Sequence, residues 1–254
     1  MHLLAIPMKP ITAYSGKYFV ILVIIVALAY ILAKLSNSLR IPSTVICGVS
    51  GTALLIMEII KQPLLTYVRG SYSWSDLPFQ LCSIPMYLCF VYLVWPTKRP
   101  AIAMYLHSFG LIGAIAAFAF PYSCLYGYLL LTIQSLAWHG ILLFLGMYFL
   151  LTTRKPSDLK RIRAKENKTA TQAVLIYVGV ACIAVLINIC LLKISNGTCN
   201  MFFFGPGNPD IPILNIIKEK YGWIVECIVM AIATITAGIT LMKVQSYFRT
   251  QTQL

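Results

Sequence analysis

The chain has 254 residues, of which 59% are hydrophobic and 11% charged, with a formal net charge of +13. A soluble domain is about 45–50% apolar and about 25% charged, so a soluble globule is excluded and one polytopic membrane domain is expected. The positive balance does not indicate nucleic acid, because no helix-turn-helix or aromatic-basic groove pattern occurs and the basic residues lie between apolar blocks.

A membrane-crossing helix needs roughly 20 mostly apolar residues. Blocks at about 18–35, 43–60, 78–95, 100–119, 129–152, 170–193 and 221–243 qualify. The expected fold is all-α, a single integral membrane domain of seven transmembrane helices. The first block lacks a small-residue cleavage pattern after it, so it reads as a retained helix rather than a signal peptide. Pro42 opens the second block and Pro78 the third, both near a first helical turn where proline is tolerated. Pro85 falls inside the third block, where it would free a carbonyl and bend the helix. "WPTKRP" (Trp95 to Pro100) is a tight basic turn, and "FPYS" (Phe120 to Ser123) ends the fourth block.

Lys and Arg set the orientation. The loop 153–169 carries Arg154, Lys155, Lys160, Arg161, Arg163, Lys165 and Lys168, whereas 120–128 carries none. A cytoplasmic basic loop places the amino terminus outside and the carboxyl terminus in the cytoplasm. The loop itself reads as a topology anchor on anionic lipid rather than a binding site.

Polar groups in hydrocarbon are costly and mark sites or helix contacts. At 1.5 Å per residue, Glu58, Gln80, Cys82, Gln134, His139, Asn188 and Glu226 all map to the outer half, and the loop carrying Asn200 covers the same side. His107 maps to the inner half. Simpler roles exist for several of these. Glu58 has Lys61 three residues on as an ion-pair partner, and Glu226 stands near a helix start, where the dipole favours a carboxylate. Of the eight cysteines none forms a CxxC pair, so no metal site is expected and no cofactor is implied. Cys124 and Cys199 fall in loops and could pair. The sharper chemistry is a thiol near a helix amino terminus, Cys82, served by a histidine base, His139.

"LPFQLCSIPMYL" (Leu77 to Leu88) resembles the signature of YwaF-type bacterial integral membrane proteins, relatives of the eukaryotic transmembrane protein 164 acyltransferases. "WHG" (Trp138 to Gly140) resembles that family's histidine-glycine. "GTCNMFF" (Gly197 to Phe203), followed by Pro206 and Pro209, resembles its asparagine loop, and "YGW" at Tyr221 its last-helix start. The resemblance covers about residues 70–245. Asp76 and Gln80 stand where the usual motif has histidines, and Met201 follows Asn200 where the family has tyrosine. The resemblance implies acyl transfer onto lysophospholipids through a cysteine acyl-enzyme, with Cys82 as nucleophile and His139 as its histidine.

The function expected is therefore phospholipid-directed acyl transfer in the cell membrane. Gln80 and Asn200 would orient substrate or polarise its carbonyl, and Gln134, Asn188 and Glu226 would complete the pocket, with Glu226 a candidate to orient His139. The expected partners are phospholipid or lysophospholipid. The alternative is a small-solute transporter or substrate-binding membrane subunit without catalysis. A receptor-like bundle also matches the span count, though no signalling motif is present.

Overall fold

A computed structural model describes residues 4–152, 159–207 and 211–251, and among these it is helical with no strand. The elements are α1 (Gly16–Ser38), α2 (Ser43–Arg69), α3 (Ile84–Val94), α4 (Arg99–Tyr105), α5 (Leu111–Ala119), α6 (Leu129–Leu151), α7 (Leu159–Leu191), α8 (Pro212–Tyr221) and α9 (Trp223–Gln251). A single π-helical segment, Leu106–Gly110, joins α4 to α5 into one rod.

Among the described residues, six helical stretches are long and apolar enough to cross a membrane: Gly16–Ser38, Ser43–Arg69, Pro96–Ala119, Leu129–Leu151, Asn167–Leu191 and Trp223–Gln245. The chain is thus a multi-pass membrane protein. The α4–α5 rod is its centre, with 67% of its apolar window buried against 17% for α1, α7 and α9, which form the lipid-facing rim. The rod is locked by close contacts. Phe109 stacks on Tyr177 of α7 at 4.7 Å, and a Cβ on Gly238 of α9 would stand 2.5 Å from the Phe109 ring.

Several boundaries differ from expectation. Helix α2 runs on past 60, through Pro63, to a left-handed cap at Gly70. The polar run past the expected end is bonded along the helix: Lys61 Nζ lies 2.8 Å from Glu58 Oε2, and Gln62 Nε2 donates to Glu58 Oε1 at 2.5 Å. Helix α7 begins within the expected basic loop, at Leu159, while 153–158 lies outside the described residues. The stretch before α9 holds a further helix, α8, with Leu214 buried and Ile213 and Ile216 exposed, as in helices lying at a membrane surface.

The largest departure is the third block. Helix α3 has 11 residues, about 16 Å of helix against roughly 30 Å of hydrocarbon. Pro85 sits in its first turn, not its interior, so it interrupts no helical hydrogen bond and the expected bend within the helix is absent. The chain is instead unwound ahead of it, over Leu77–Ser83. The whole segment still runs antiparallel along α2. Tyr92 Oη donates to Ser43 Oγ at 2.7 Å at one end, and Gln62 Nε2 donates to the Asp76 carbonyl at 2.6 Å at the other.

Unwound backbone is tolerated at such depth only where protein satisfies it. Side chains do so here. Tyr87 Oη donates to the Pro78 carbonyl at 2.8 Å, and the Trp138 indole N–H to the Cys82 carbonyl at 3.0 Å. Removing a donor from a buried carbonyl costs about 1–3 kcal/mol. Trp138→Phe is therefore expected to lower the thermal midpoint of the detergent-purified protein, read by intrinsic fluorescence; an unchanged midpoint would show that the indole is not holding this stretch.

Candidate functional site

Several buried polar side chains lie near the unwound stretch, at the same end of the bundle. They form two clusters there. The first surrounds the loop 199–207. Gln80, projecting from the unwound stretch, accepts from Phe202 N at 2.8 Å and donates to Asn200 O at 2.9 Å. Asn188, near the end of α7, accepts from Met201 N at 2.7 Å and donates to Met201 O at 3.0 Å. Asn200 closes the loop on itself, accepting from Gly205 N and donating to Gly207 O, both at 2.7 Å. The structure therefore brings Gln80, Asn188 and Asn200 together, as the sequence suggested, but aims their amides at loop backbone.

The clamps hold a strained turn. Phe202 and Phe203 both have φ of 58°, a left-handed conformation that costs a non-glycine residue roughly 1–2 kcal/mol. Cys199 Sγ donates to Asn188 Oδ1 at 3.6 Å, and burial pushes this thiol above its usual range. Glu226 is fully buried beside the same loop. Its Oε1 has no hydrogen-bond partner among the described residues, and Oε2 lies 4.0 Å from Cys227 Sγ, which points to Phe203 O.

The second cluster surrounds Cys82 and His139. Cys82 is half-buried on the unwound stretch, its carbonyl held by Trp138 and its Cα pressed on α5, where a Cβ on Gly113 would lie 3.4 Å away. His139, on the next residue of α6 after Trp138, is buried with its ring edge-on to Phe118 at 5.9 Å. Its Nδ1 lies 2.8 Å from Ser135 O. A carbonyl can only accept, so the proton is on Nδ1 and Nε2 is the basic nitrogen. Ser135, and not Glu226, is the group that orients this ring.

No hydrogen bond joins Cys82 to His139. The thiol found at His139 is Cys124, 3.8 Å from Nδ1. The sequence left Cys124 in a connecting loop, with no spacing signal that would bring it to α6. No disulfide joins it to Cys199. Because Nδ1 carries the proton, Cys124 lies on the side of the ring that cannot deprotonate it. His107, in the π-helical segment, lies elsewhere, its Nδ1 being 2.8 Å from Met104 O of α4. Gln134 belongs to neither cluster and lines a cavity between α2 and α6. Among the described residues, no three His, Cys, Asp or Glu side chains gather as a metal site.

The TMEM164 family model matches residues 8–241, which takes in both clusters. This chain belongs to the TMEM164 family. No curated protein and no solved structure matches it. The match makes α1 and the chain ahead of it part of the TMEM164 unit, where the sequence motifs had pointed only to residues from about 70 onward.

The Gln80 clamp yields a test. Gln80→Leu leaves Phe202 N–H and Asn200 C=O without their partners, at about 1–3 kcal/mol for each buried group. The loop should loosen, and Cys199 should gain reactivity toward a water-soluble maleimide, mapped by mass spectrometry. Unaltered Cys199 protection would mean that Asn188 holds the loop alone.

Proposed function

We propose that this TMEM164-family protein, of the YwaF type, moves an acyl group between membrane phospholipids, with Cys82 as nucleophile and His139 as general base. The observation that carries the reading is the placement of Cys82. It stands half-buried on an unwound stretch packed on Gly113 and held at its carbonyl by Trp138, the residue of α6 that precedes His139, whose Nδ1 is turned to Ser135 O. Both side chains belong to the apolar surroundings of Phe118 and Trp138, where an acyl chain is soluble. Catalytic hydrogen bonds commonly tighten only when substrate is bound.

In the proposed reaction His139 Nε2 takes the Cys82 thiol proton, and Sγ attacks the carbonyl carbon of an acyl ester. The ester carbon–oxygen bond breaks, and the departing oxygen takes the proton from His139. A lysophospholipid hydroxyl then gives its proton to His139, its oxygen attacks the thioester, and the released Cys82 thiolate recovers that proton. Gln80, Asn188 and Asn200 act at one remove in this scheme, by holding the loop that packs against the unwound stretch.

The same proposal includes topology. The Leu77–Val94 segment counts as a seventh crossing because it accompanies α2 from Gln62 to Ser43. With the basic start of α7 in the cytoplasm, the Cys82 end faces the outer leaflet of the cell membrane.

Acyl transfer from a radiolabelled phospholipid to a lysophospholipid by purified protein in vesicles tests the assignment. Cys82→Ser should lose at least about a thousandfold and His139→Gln about a hundredfold or more, while Cys124→Ser keeps wild-type rates. Full activity in Cys82→Ser would overturn the reading. Retained lipid binding with no transfer by wild-type protein would favour the transporter or binding-subunit alternative.

A further inference from the structure

Helix α2 carries one acidic side chain in its membrane-crossing stretch, Glu58, and that side chain is only 4% exposed. An ion pair of i, i+3 spacing on an exposed helix face contributes little. Burying one takes both charges out of water, at a cost that their attraction often fails to return. Ionisable groups inside membrane helices are accordingly rare and mark functional places. Glu58 has no task in the acyl-transfer scheme, and its partners show what task it fits.

Its two oxygens lead to the two ends of the unwound stretch. Oε1 accepts from Gln62 Nε2 at 2.5 Å, and the same nitrogen donates to the Asp76 carbonyl at 2.6 Å, one residue before the stretch begins. Asp76 is tied to α2 a second time, by the ion pair of its carboxylate with Arg69. Oε2 of Glu58 lies 2.8 Å from Lys61 Nζ, which stands 5.9 Å from the centre of the Trp138 ring. The Trp138 N–H in turn donates to the Cys82 carbonyl at 3.0 Å. A cation over an indole face is held there by the ring quadrupole, and it draws π density from the ring, which makes the N–H a stronger donor. Without Glu58, Lys61 would lose its ion-pair partner and its flexible stem would let the ammonium swing toward the headgroups. Gln62 would lose the acceptor that aims its amide at Asp76.

We infer that Glu58 is a positioning residue for Cys82. It fixes where the Cys82 backbone stands, through Lys61 and Trp138 at one end of the unwound stretch and through Gln62 and Asp76 at the other. The effect on turnover rests on the acyl-transfer reading; the effect on the thiol itself does not.

The test follows each cysteine of the full-length protein, in phosphatidylcholine nanodiscs, during alkylation by N-ethylmaleimide, with mapping by mass spectrometry. Glu58→Gln keeps an acceptor for Gln62 and removes the charge that holds Lys61. It should raise the alkylation rate of Cys82 about three- to tenfold, while Cys47 and Cys89, both fully buried, keep wild-type protection. Lys61→Met should do the same, and Lys61→Arg, which keeps the ion pair and the cation over Trp138, should stay within about twofold of wild type. In phospholipid-to-lysophospholipid transfer, Glu58→Gln should lower kcat about ten- to a hundredfold with KM near that of wild type. Unchanged Cys82 alkylation in Glu58→Gln and Lys61→Met would overturn the inference. Equal gains at Cys47, Cys89 and Cys82 would overturn it too, since they would mean general loosening of the fold. If wild-type protein transfers no acyl group while Cys82 alkylation still follows Glu58, the positioning role stands and the acyl-transfer reading falls.

Discussion

A carbonyl or N–H buried in hydrocarbon must find a partner inside the protein, and in this fold that constraint bears on one place above all. The backbone from Leu77 to Ser83 is not helical, yet the segment it opens runs beside α2 within an apolar bundle. Two of its carbonyls are met by side chains, Pro78 by Tyr87 from α3 and Cys82 by Trp138 from α6, and Gln62 from α2 holds the Asp76 carbonyl just ahead of it. Without them the unwound stretch would be costly, and the end of the bundle that holds Cys82 would have no fixed shape.

The second irregular segment obeys the same rule. The loop 199–207 is largely buried, and its backbone is satisfied by Asn188, Asn200 and Gln80. Gln80 belongs to the first irregular segment and binds the second, so the two stabilise one another. This coupling explains why several amides cluster at one end of an otherwise apolar bundle. Cys82 and His139 take no part in it: the Cys82 carbonyl is held by Trp138, and His139 by Ser135.

Much of this was legible beforehand because hydropathy responds to length alone. The block expected at 129–152 is α6, Leu129–Leu151, and the Glu58–Lys61 pair forms as the i, i+3 spacing suggests. The third block misled because composition cannot distinguish eighteen apolar residues in a helix from seven unwound residues followed by a short one. Pro85 was the available signal. A proline at a helix start and one in a helix interior look alike until the start is known. Cys124 escaped notice for a different reason: its meeting with His139 depends on how the chain enters α6, and no local pattern encodes that.

The sequence by itself determined that the chain lives in a membrane, that it is all-helical, and how far along its helices the polar side chains lie, since each follows from where apolar runs begin and stop. Only the tertiary structure decided what those side chains face. Gln80, Asn188 and Asn200 turn to backbone and His139 to Ser135, while Gln134 sits between α2 and α6. Depth along a helix is set by counting residues, but the direction of a side chain around that helix is set by which neighbour packs against it.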